Sequence, residues 1–399
     1  MPKRKIKILF LLSRFLDGGI DTVLTEYLCR LSGNVNYEIT LAISIKMDEL
    51  EVFKNRIPSN VKIVHFVKQQ WLTKWRKRKI RQKIPAYIKL HDELLLNPIR
   101  RIMIANNIKR LATQNDVIID FDSHFSSFLK NIKKPKVAFY HFSLAAMAEK
   151  NPRYIKKISQ ELAYYDRIVT ISKAMCKECE ILCPKLANKL IVIYNGQDRD
   201  RLKSFASEKV IDNRINTPFL VAVERLTESQ KDVSTILHAF KILHEKYQRT
   251  EKLYIIGKGN SEKDLKQLAN NIGIANEVEF LGFKANPYPW IDKARLLIHS
   301  AKFEGLPTIL IEGLMLDKLI VATDCPTGPK EILNEGKAGI LIPVGDAEAM
   351  AEGINKLLTD EQLSATIMNG VYLHSDTFSF KNTEKQFDNL IKKLLDLQL

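Results

Sequence analysis

Two glutamates eight positions apart, Glu304 and Glu312, lie in the segment FEGLPTILIEG with a glycine, a proline and an apolar run between them. The preceding run RLLIHS is typical of a buried strand, and Pro307 lies beside the start of a helix predicted over TILIEGLML. Glu304 is then expected on the loop after the strand, and Glu312 inside the helix. Because the free N–H groups at a helix start favour anions, this segment offers a phosphate site and two carboxylates for hydroxyl groups. These are the groups that a nucleotide sugar requires.

Short apolar runs alternate with longer helical patterns along the chain, and this alternation predicts parallel α/β sheets. The pattern restarts after a polar connection at 201–216. We therefore predict an α/β fold of two Rossmann-like, doubly wound domains facing each other across a cleft, over 1–198 and 199–379. A C-terminal helix over 380–399 is expected to complete the first domain. In such folds the ligand lies outside the carboxyl ends of the strands.

The first apolar run, IKILFLLS, ends at a turn predicted over Asp17-Gly18-Gly19, and a helix is predicted from about 22 to 31. The start MPKRKIKILFLLSRF has the basic lead of a signal peptide. Its apolar stretch stops after Leu12, however, and no small-residue cleavage site follows. We interpret this stretch as a buried first strand and expect the chain in the cytoplasm.

The composition, 45% hydrophobic and 27% charged over 399 residues, is typical of a soluble globular protein. No apolar run approaches the ~18 residues that indicate a transmembrane helix. The five cysteines are few and odd in number, which argues against a disulfide framework. Cys176, Cys179 and Cys183 are interpreted as ordinary helix residues, because structural zinc normally takes four ligands and no fourth is nearby.

Positive charge is concentrated in the amino-terminal half of the chain. Residues 1–200 contain 37 Lys+Arg and 19 Asp+Glu, whereas residues 201–399 contain 25 and 27. The excess peaks at 68–83, KQQWLTKWRKRKIRQK, where eight of sixteen residues are basic and tryptophans are interleaved. Such a stretch is suited to phosphates on nucleic acid or on a membrane surface, and a solvated basic helix is the alternative.

The segment SAKFEGLPTILIEGLMLDKLIVATDCPTGPKEIL closely resembles the retaining glycosyltransferases of family 4, which have the two-domain GT-B architecture. Glu304 and Glu312 match the E-x7-E signature of that family. VAVERLTESQKDVSTILHAF is similar to its Arg-Leu…Lys segment, YIIGKGNSEKDL to its G-x-G turn, and FLGFKANPYPWI to its loop before the signature strand. The resemblance is dense over 219–355. It is thinner before that range, where it depends on DGGIDTVL, YHFS, VTISKAM and IYNGQD.

The resemblance implies a donor site in the carboxy-terminal domain, with acceptor binding in the amino-terminal one. Arg225 and Lys231 would hold the donor diphosphate, and Glu304 would bind hydroxyls of the donor sugar as a catalytic residue. Glu312 would accept hydrogen bonds from the ribose, and His141 would reach the donor sugar as the second catalytic residue. The donor-binding set that it implies is Gly18, Gly19, Arg225, Lys231, Leu306, Pro307, Thr308, Ile309 and Glu312.

This sequence departs from the family pattern at one position, because Glu224 stands where the family usually has glycine before Arg225. A carboxylate there is expected to alter how Arg225 is presented. His124, in DFDSHFSSF, is a candidate for contacting the acceptor. His141 and His124 each have an alternative interpretation as structural groups.

The reaction implied is glycosyl transfer with retained anomeric configuration, catalysed by a hexosyltransferase that requires no cofactor or metal. Two Asp-x-Asp triplets, Asp120-Phe-Asp122 and Asp198-Arg-Asp200, are interpreted as coincidental. Metal-dependent transferases with that motif have a single-domain architecture, whereas this chain is predicted to have two domains.

The expected donor is a UDP-sugar, with galactose, N-acetylglucosamine and N-acetylgalactosamine all open, and the expected acceptor belongs to lipopolysaccharide, capsule or lipid-linked oligosaccharide synthesis. We expect peripheral binding to the anionic inner face of the plasma membrane and no nucleic acid. A catalytically silent transferase-like partner and a nucleic-acid-binding protein are the alternatives. The predicted docking residues are Trp71, Lys74, Trp75, Arg76, Lys77, Arg78 and Lys79.

Overall fold

The computed structural model describes residues 4–16, 18–151 and 153–396. Asp17 of the predicted turn lies outside the described residues, as do the outermost residues of the predicted terminal segments (1–3 and 397–399). The predicted fold class is confirmed, because the described chain forms two parallel sheets flanked by helices. The division at 198/199 and 379/380 stays a prediction.

The first sheet has seven strands in the order β3-β2-β1-β4-β5-β6-β7. All of its neighbouring strands are parallel. Its strands are β1 (Ile6–Leu12), β2 (Tyr37–Ile45), β3 (Lys62–Val67), β4 (Val117–Asp120), β5 (Lys136–Tyr140), β6 (Arg167–Thr170) and β7 (Leu190–Val192).

The second sheet has six strands in the order β10-β9-β8-β11-β12-β13, again all parallel. Its strands are β8 (Phe219–Val223), β9 (Lys252–Ile256), β10 (Val278–Gly282), β11 (Leu296–His299), β12 (Ile320–Thr323) and β13 (Ile340–Ile342).

Helices cover both faces of the two sheets, as expected where each crossover connects parallel strands. The helix predicted over TILIEGLML is confirmed as α13. The helices are α1 (Gly19–Leu31), α2 (Gln70–Arg81), α3 (Ala86–His91), α4 (Asn97–Gln114), α5 (Ser126–Leu129), α6 (Leu144–Lys150), α7 (Arg153–Leu162), α8 (Lys173–Leu182), α9 (Arg199–Ala206), α10 (Val233–Tyr247), α11 (Glu262–Asn271), α12 (Tyr288–Lys293), α13 (Thr308–Met315), α14 (Pro329–Ile332), α15 (Ala347–Thr359), α16 (Glu361–Ser375) and α17 (Phe380–Leu394).

The sequence of strand β1 is largely apolar because both faces of the strand are buried. Ile8 and Phe10 point into one core cluster and Leu9 and Leu11 into another, because successive side chains of a strand face opposite sides. A sheet covered on both faces therefore needs a continuous apolar run. Helix α17 lies on the Ile8 and Phe10 side, where Phe387 stacks on Phe10 with ring centroids 6.1 Å apart. The last helix of the chain thus packs on the first sheet.

The connection from β3 to β4 is the longest in the first sheet, and it forms several helices. Helix α2 ends before Pro85, α3 follows, and a π-helical turn over Asp92–Leu96 leads into α4. Arg100, which is buried, holds this corner by donating to the Asp92 carboxylate at 2.7 Å and to the Leu72 carbonyl at 2.8 Å. No helix in the described ranges has the length and apolar character that crossing a bilayer needs.

Candidate functional site

The loops after β1 and β8 meet between the two sheets. A Cβ atom added to Gly18 would lie 3.4 Å from the Arg225 guanidinium, which comes from the second sheet. The Gly18 amide donates to the Asp21 carboxylate at 2.8 Å, which fixes the loop at the start of α1. A Cβ added to Gly19 would meet nothing within 4 Å. Only the first of the two predicted glycines therefore lies in close approach to the other domain.

The loop carrying Glu304 lies against the predicted histidine of the first domain. A Cβ added to Gly305 would lie 2.3 Å from the carbonyl oxygen of His141, so only glycine fits at this contact. The loop after β12 contacts the same loop, since the Thr327 hydroxyl donates to the Glu304 carbonyl. A Cβ added to Gly328, whose φ is +91°, would lie 2.5 Å from Pro307 Cδ, so glycine is also required at this contact. The loop after β12 thus positions Glu304, and the sequence interpretation missed this role.

His141 has one ring nitrogen occupied and one free. Its Nε2 lies 2.7 Å from the Phe121 carbonyl oxygen, which can only accept, so Nε2 carries the hydrogen. Burial lowers the pKa of His141 to about 4, against smaller opposite effects of Phe121 and Asp122. The ring is therefore neutral at pH 7. Its buried Nδ1 is left as an acceptor without a hydrogen-bond partner in the described chain.

Lys231 lies between two glutamates. Its Nζ is 2.9 Å from Glu224 Oε2 and 2.5 Å from Glu304 Oε1. Burial lowers the pKa of Lys231, but the charges of Glu224 and then Glu304 outweigh burial and raise it overall. His299, the last residue of β11, contacts Glu224 through Nδ1 at 2.5 Å. The lysine is therefore a permanent ammonium ion between carboxylates.

This geometry corrects the expectation for Glu224. Its carboxylate contacts Lys231 and His299, and Arg225 is exposed without an ion pair to any described residue. The sequence could not show this, because β8 and β11 are neighbours only in the sheet.

The start of α13 faces the same loop. Its N-cap, Pro307, makes no side-chain capping hydrogen bond, so the amides of Thr308 and Ile309 are not capped by that side chain. Leu306 is buried and holds the preceding turn in the core. The predicted backbone donors follow Glu304 closely in the chain.

Glu312 lies deeper than Glu304. It is buried inside α13, and burial raises its pKa to about 7. Tyr288 of α12 opposes this shift and Glu26 of α1 adds to it, which places Glu312 at the boundary between the domains. Glu26 is itself paired with Arg201 at 2.6 Å. The sequence interpretation anticipated neither Tyr288 and Glu26 beside Glu312 nor the Glu26–Arg201 pair.

The aspartate triplets and His124 take part in local structure. Asp120 is fully buried and accepts from the Tyr165 hydroxyl and, at 2.8 Å, from the Phe125 amide. Asp122 accepts from the Ser13 amide at 3.0 Å. Asp122 also raises the pKa of His124 to about 9, and the His124 side chain is 61% exposed.

The second triplet and the cysteine cluster lie in helices. Asp198 caps α9 by accepting from the amides of Asp200 and Arg201. Cys176 and Cys179 lie in α8 and Cys183 ends it, and burial raises the pKa of all three thiols. Across the part of the chain that the structure describes, no group of three or more His, Cys, Asp or Glu side chains has the arrangement of a metal site.

Part of the predicted docking stretch on α2 faces the protein. Arg76 pairs with Asp92 at 2.9 Å, Lys77 pairs with Asp48, and Trp75 packs against the core. Lys74 and Arg78 lie over the Trp75 ring at 5.1 and 5.8 Å. The exposed members of the predicted set are Trp71, Lys74, Arg78 and Lys79.

An apolar face that the sequence interpretation missed continues from α2 along α3 and α4. Its large side chains point to solvent, with Tyr87 73% and Leu94 63% exposed. The spacing is helical, with the π-helical turn in its middle. The exposed apolar face consists of Tyr87, Leu90, Leu94, Leu95, Ile99 and Ile102.

The two parallel-sheet domains, with loops meeting between them, define the GT-B class of fold. Residues 205–372 match the model of the family "Glycosyl transferases group 1". Solved structures of the same fold include Anabaena HepE in complex with UDP, at a TM-score of 0.76 and 18% identity, covering 97% of this chain and 100% of that one. TarM aligns at a TM-score of 0.73 and 12% identity, covering 99% of both chains.

Curated relatives are similar over part of their length. An uncharacterized glycosyltransferase of Methanocaldococcus jannaschii is 31% identical over 224 residues, 51% of this chain and 55% of the relative. An N-acetylgalactosamine-N,N'-diacetylbacillosaminyl-diphospho-undecaprenol 4-alpha-N-acetylgalactosaminyltransferase of Campylobacter jejuni is 28% identical over 203 residues, 51% of this chain and 50% of the relative. The match thus spans about half the length of these relatives. Together the comparisons show the GT-B fold and a similarity to glycosyltransferases over about half of the chain.

Proposed function

We propose that this chain is a retaining, family 4 hexosyltransferase that transfers a sugar from a nucleotide sugar to a glycan or glycolipid acceptor. The observation that carries the proposal is that charged groups of the second domain lie where loops of the first domain meet it. Arg225 lies beside Gly18, and Lys231 contacts Glu304 next to the His141 backbone. A guanidinium, an ammonium and a carboxylate in that order suit a diphosphate followed by sugar hydroxyls.

In the proposed reaction the bond from the anomeric carbon to the diphosphate breaks while an acceptor hydroxyl attacks from the same face. The acceptor proton passes to the departing phosphate oxygen. Arg225, Lys231 and the amides at the start of α13 stabilise the negative charge that develops on the diphosphate, and we propose that they do so without a metal. Glu304 binds the sugar hydroxyls as they shift, and Glu312 binds the ribose.

His141 is proposed to act as an acceptor of a hydrogen bond from the donor sugar. Its Nδ1 is buried and unpartnered among the described residues, and its ring is neutral. A neutral acceptor beside the reacting carbon orients a hydroxyl without adding positive charge next to the carbon that becomes electron-poor.

The donor is proposed to be UDP-linked, with a hexose or N-acetylhexosamine. This is supported by HepE, whose structures contain UDP and UDP-glucose. The acceptor is proposed to be lipid-linked or part of lipopolysaccharide, with His124 near it. The Campylobacter relative is named for a diphospho-undecaprenol substrate, and a Rhizobium meliloti relative for lipopolysaccharide core synthesis.

Docking at the inner face of the plasma membrane is also proposed. It is supported by the exposed apolar face on α3 and α4 together with the exposed α2 residues Trp71, Lys74, Arg78 and Lys79. Residues 68–110 contain thirteen Lys+Arg and two Asp+Glu, which complements an anionic lipid surface. Apolar side chains bordered by basic ones favour the membrane interface over a purely aqueous partner.

Thermal unfolding with a panel of nucleotide sugars and nucleoside diphosphates tests the donor proposal. A ligand at a hundredfold excess over its Kd stabilises the folded state by ~2.7 kcal/mol. We expect UDP and one UDP-sugar to raise Tm, and the Arg225→Ala variant to lose the shift. Absence of any shift with every nucleotide in the panel would contradict a donor site in this cleft.

A further inference from the structure

Four titratable side chains form a closed ring under the candidate donor site. His299 contacts Glu224 at 2.5 Å, and Glu224 contacts Lys231 at 2.9 Å. Lys231 contacts Glu304 at 2.5 Å, and His299 Nε2 lies 3.8 Å from the same Glu304 oxygen. Glu224 and His299 are fully buried, whereas the Lys231 and Glu304 side chains are 13% and 10% exposed. The ring therefore has a buried half and a half that faces the cleft.

The Lys231 side chain is 13% exposed, so the ammonium is accessible to a ligand in the cleft. Both carboxylates lie within ion-pair distance of the Lys231 ammonium. The positive charge of the Lys231 ammonium is therefore opposed by two negative charges, those of Glu224 and Glu304. Glu224 is the partner that solvent cannot screen, since it has no exposed surface.

Glu224 holds its charge in this setting. Burial raises its pKa, but the charges of His299 and then Lys231 outweigh burial, so the pKa lies below its ordinary value. Neither Glu224 oxygen has a hydrogen-bond partner of good geometry in the described chain. Charge rather than directional bonding is therefore what Glu224 contributes to Lys231.

We propose that Glu224, held by His299, is a counter-anion that positions Lys231 and weakens the hold of the site on the departing nucleoside diphosphate. This inference rests on the proposed function, since it needs a diphosphate beside Lys231. Once the bond to the sugar is broken and the proton taken from the acceptor has passed on to solvent, the free diphosphate carries one more negative charge than it does in the donor. Repulsion from a buried carboxylate behind Lys231 is then greater in the product complex than in the donor complex. The counter-anion thus favours product release over donor loss.

Isothermal titration of UDP and UDP-glucose into wild type and Glu224→Gln tests the proposal. We expect Kd for UDP to fall about tenfold in the variant, which is ~1.4 kcal/mol, and Kd for UDP-glucose to fall less. The turnover number should fall while KM for the donor also falls, because tighter product binding slows release. A purely structural Glu224 would instead give weaker binding of both ligands.

Two further variants separate charge from shape. Glu224→Asp keeps the charge and should bind UDP nearly as wild type does, whereas Glu224→Gly removes it in case the glutamine variant fails to fold. Glu352→Gln makes the same charge change on the exposed face of α15 and should leave UDP binding unchanged. Unchanged or weaker UDP binding in both neutral variants would overturn the counter-anion proposal alone. Wild type that binds no nucleoside diphosphate would overturn the proposed function with it.

Discussion

Replacing Lys231 by methionine should destabilise the folded protein and weaken diphosphate binding at the same time. Methionine is similar in length, so the change removes the charge between Glu224 and Glu304 and little of the packing. Removing one partner of a buried ion pair destabilises by ~3–5 kcal/mol, because the remaining charge is left uncompensated. Loss of a charge-assisted contact of ~1.5–3 kcal/mol would raise Kd for UDP about 10- to 150-fold.

The effect of Lys231→Met on stability should depend on pH. In wild type the folded pKa of Glu224 lies below its ordinary value of 4.5, despite the opposing effect of burial. Its ion pairs therefore contribute stability above that pH, and the contribution is lost as the pH falls through the folded pKa. Without Lys231 the pKa of Glu224 should rise, because His299 alone then opposes the effect of burial. The variant should then regain stability relative to wild type as the pH is lowered from 7 towards 4.5.

Urea denaturation at several pH values measures the free energy of unfolding, and titration measures UDP binding. Lys241→Met is the matched control, since Lys241 pairs with Glu245 on the surface of α10 at 3.6 Å. That control should change stability by less than ~0.5 kcal/mol. A loss under ~1 kcal/mol for Lys231→Met at pH 7, with no recovery on acidification, would refute the buried ion-pair reasoning. The double variant Lys231→Met/Glu224→Gln should recover much of the stability.

Three other outcomes are expected. Glu304→Gln should mainly lower the transfer rate, and Glu312→Gln should mainly weaken nucleotide binding, which steady-state kinetics and titration distinguish. Burial lowers the pKa of His141 to about 4, so protonation of this residue should destabilise the folded state as the pH falls from 6.5 towards 4. The Tm of His141→Gln should therefore fall less on acidification than the Tm of wild type. A variant with serine on the exposed apolar face should no longer sediment with anionic vesicles. Its four substitutions are Leu90→Ser, Leu94→Ser, Leu95→Ser and Ile102→Ser.

The outcomes for the two glutamates and for vesicle binding can each be contradicted. A rate loss of the same size in both glutamate variants, with no difference in nucleotide affinity, would contradict their separate roles. The Ile211→Ser variant changes a 96% exposed residue outside the apolar face and should bind vesicles as wild type does. High salt should weaken vesicle binding through screening of the basic residues. A concentration-dependent dimer that the quadruple variant abolishes, without vesicle binding by wild type, would assign the face to a second copy instead.

The fold was predictable from two kinds of local signal. Buried strands such as β1 are continuously apolar, and helix starts such as that of α13 follow a proline. The ring beneath Lys231 was not predictable. Glu224 and His299 are 75 positions apart in sequence and meet only because β8 and β11 are adjacent in the sheet.

The orientation of helix α2, which carries the predicted docking residues, was not predictable either. Basic composition identified the stretch at 68–83, but composition does not tell which side of a helix faces the core. Arg76 and Lys77 turned out to be paired with acidic residues of the protein, whereas the apolar residues of α3 and α4 face solvent. Helix orientation follows from how Leu72 and Arg100 pack, and those contacts are long-range.

The central claim is retaining transfer from a nucleotide sugar, and the stereochemistry of donor hydrolysis tests it without knowledge of the acceptor. The measurement is proton NMR of the sugar first released when the enzyme slowly hydrolyses the UDP-α-sugar that raises its Tm. Retention predicts that the α-anomer forms first and the β-anomer follows only by mutarotation. Initial release of the β-anomer would contradict the proposed mechanism, and release at the same rate by Glu304→Gln and wild type would contradict the proposed site.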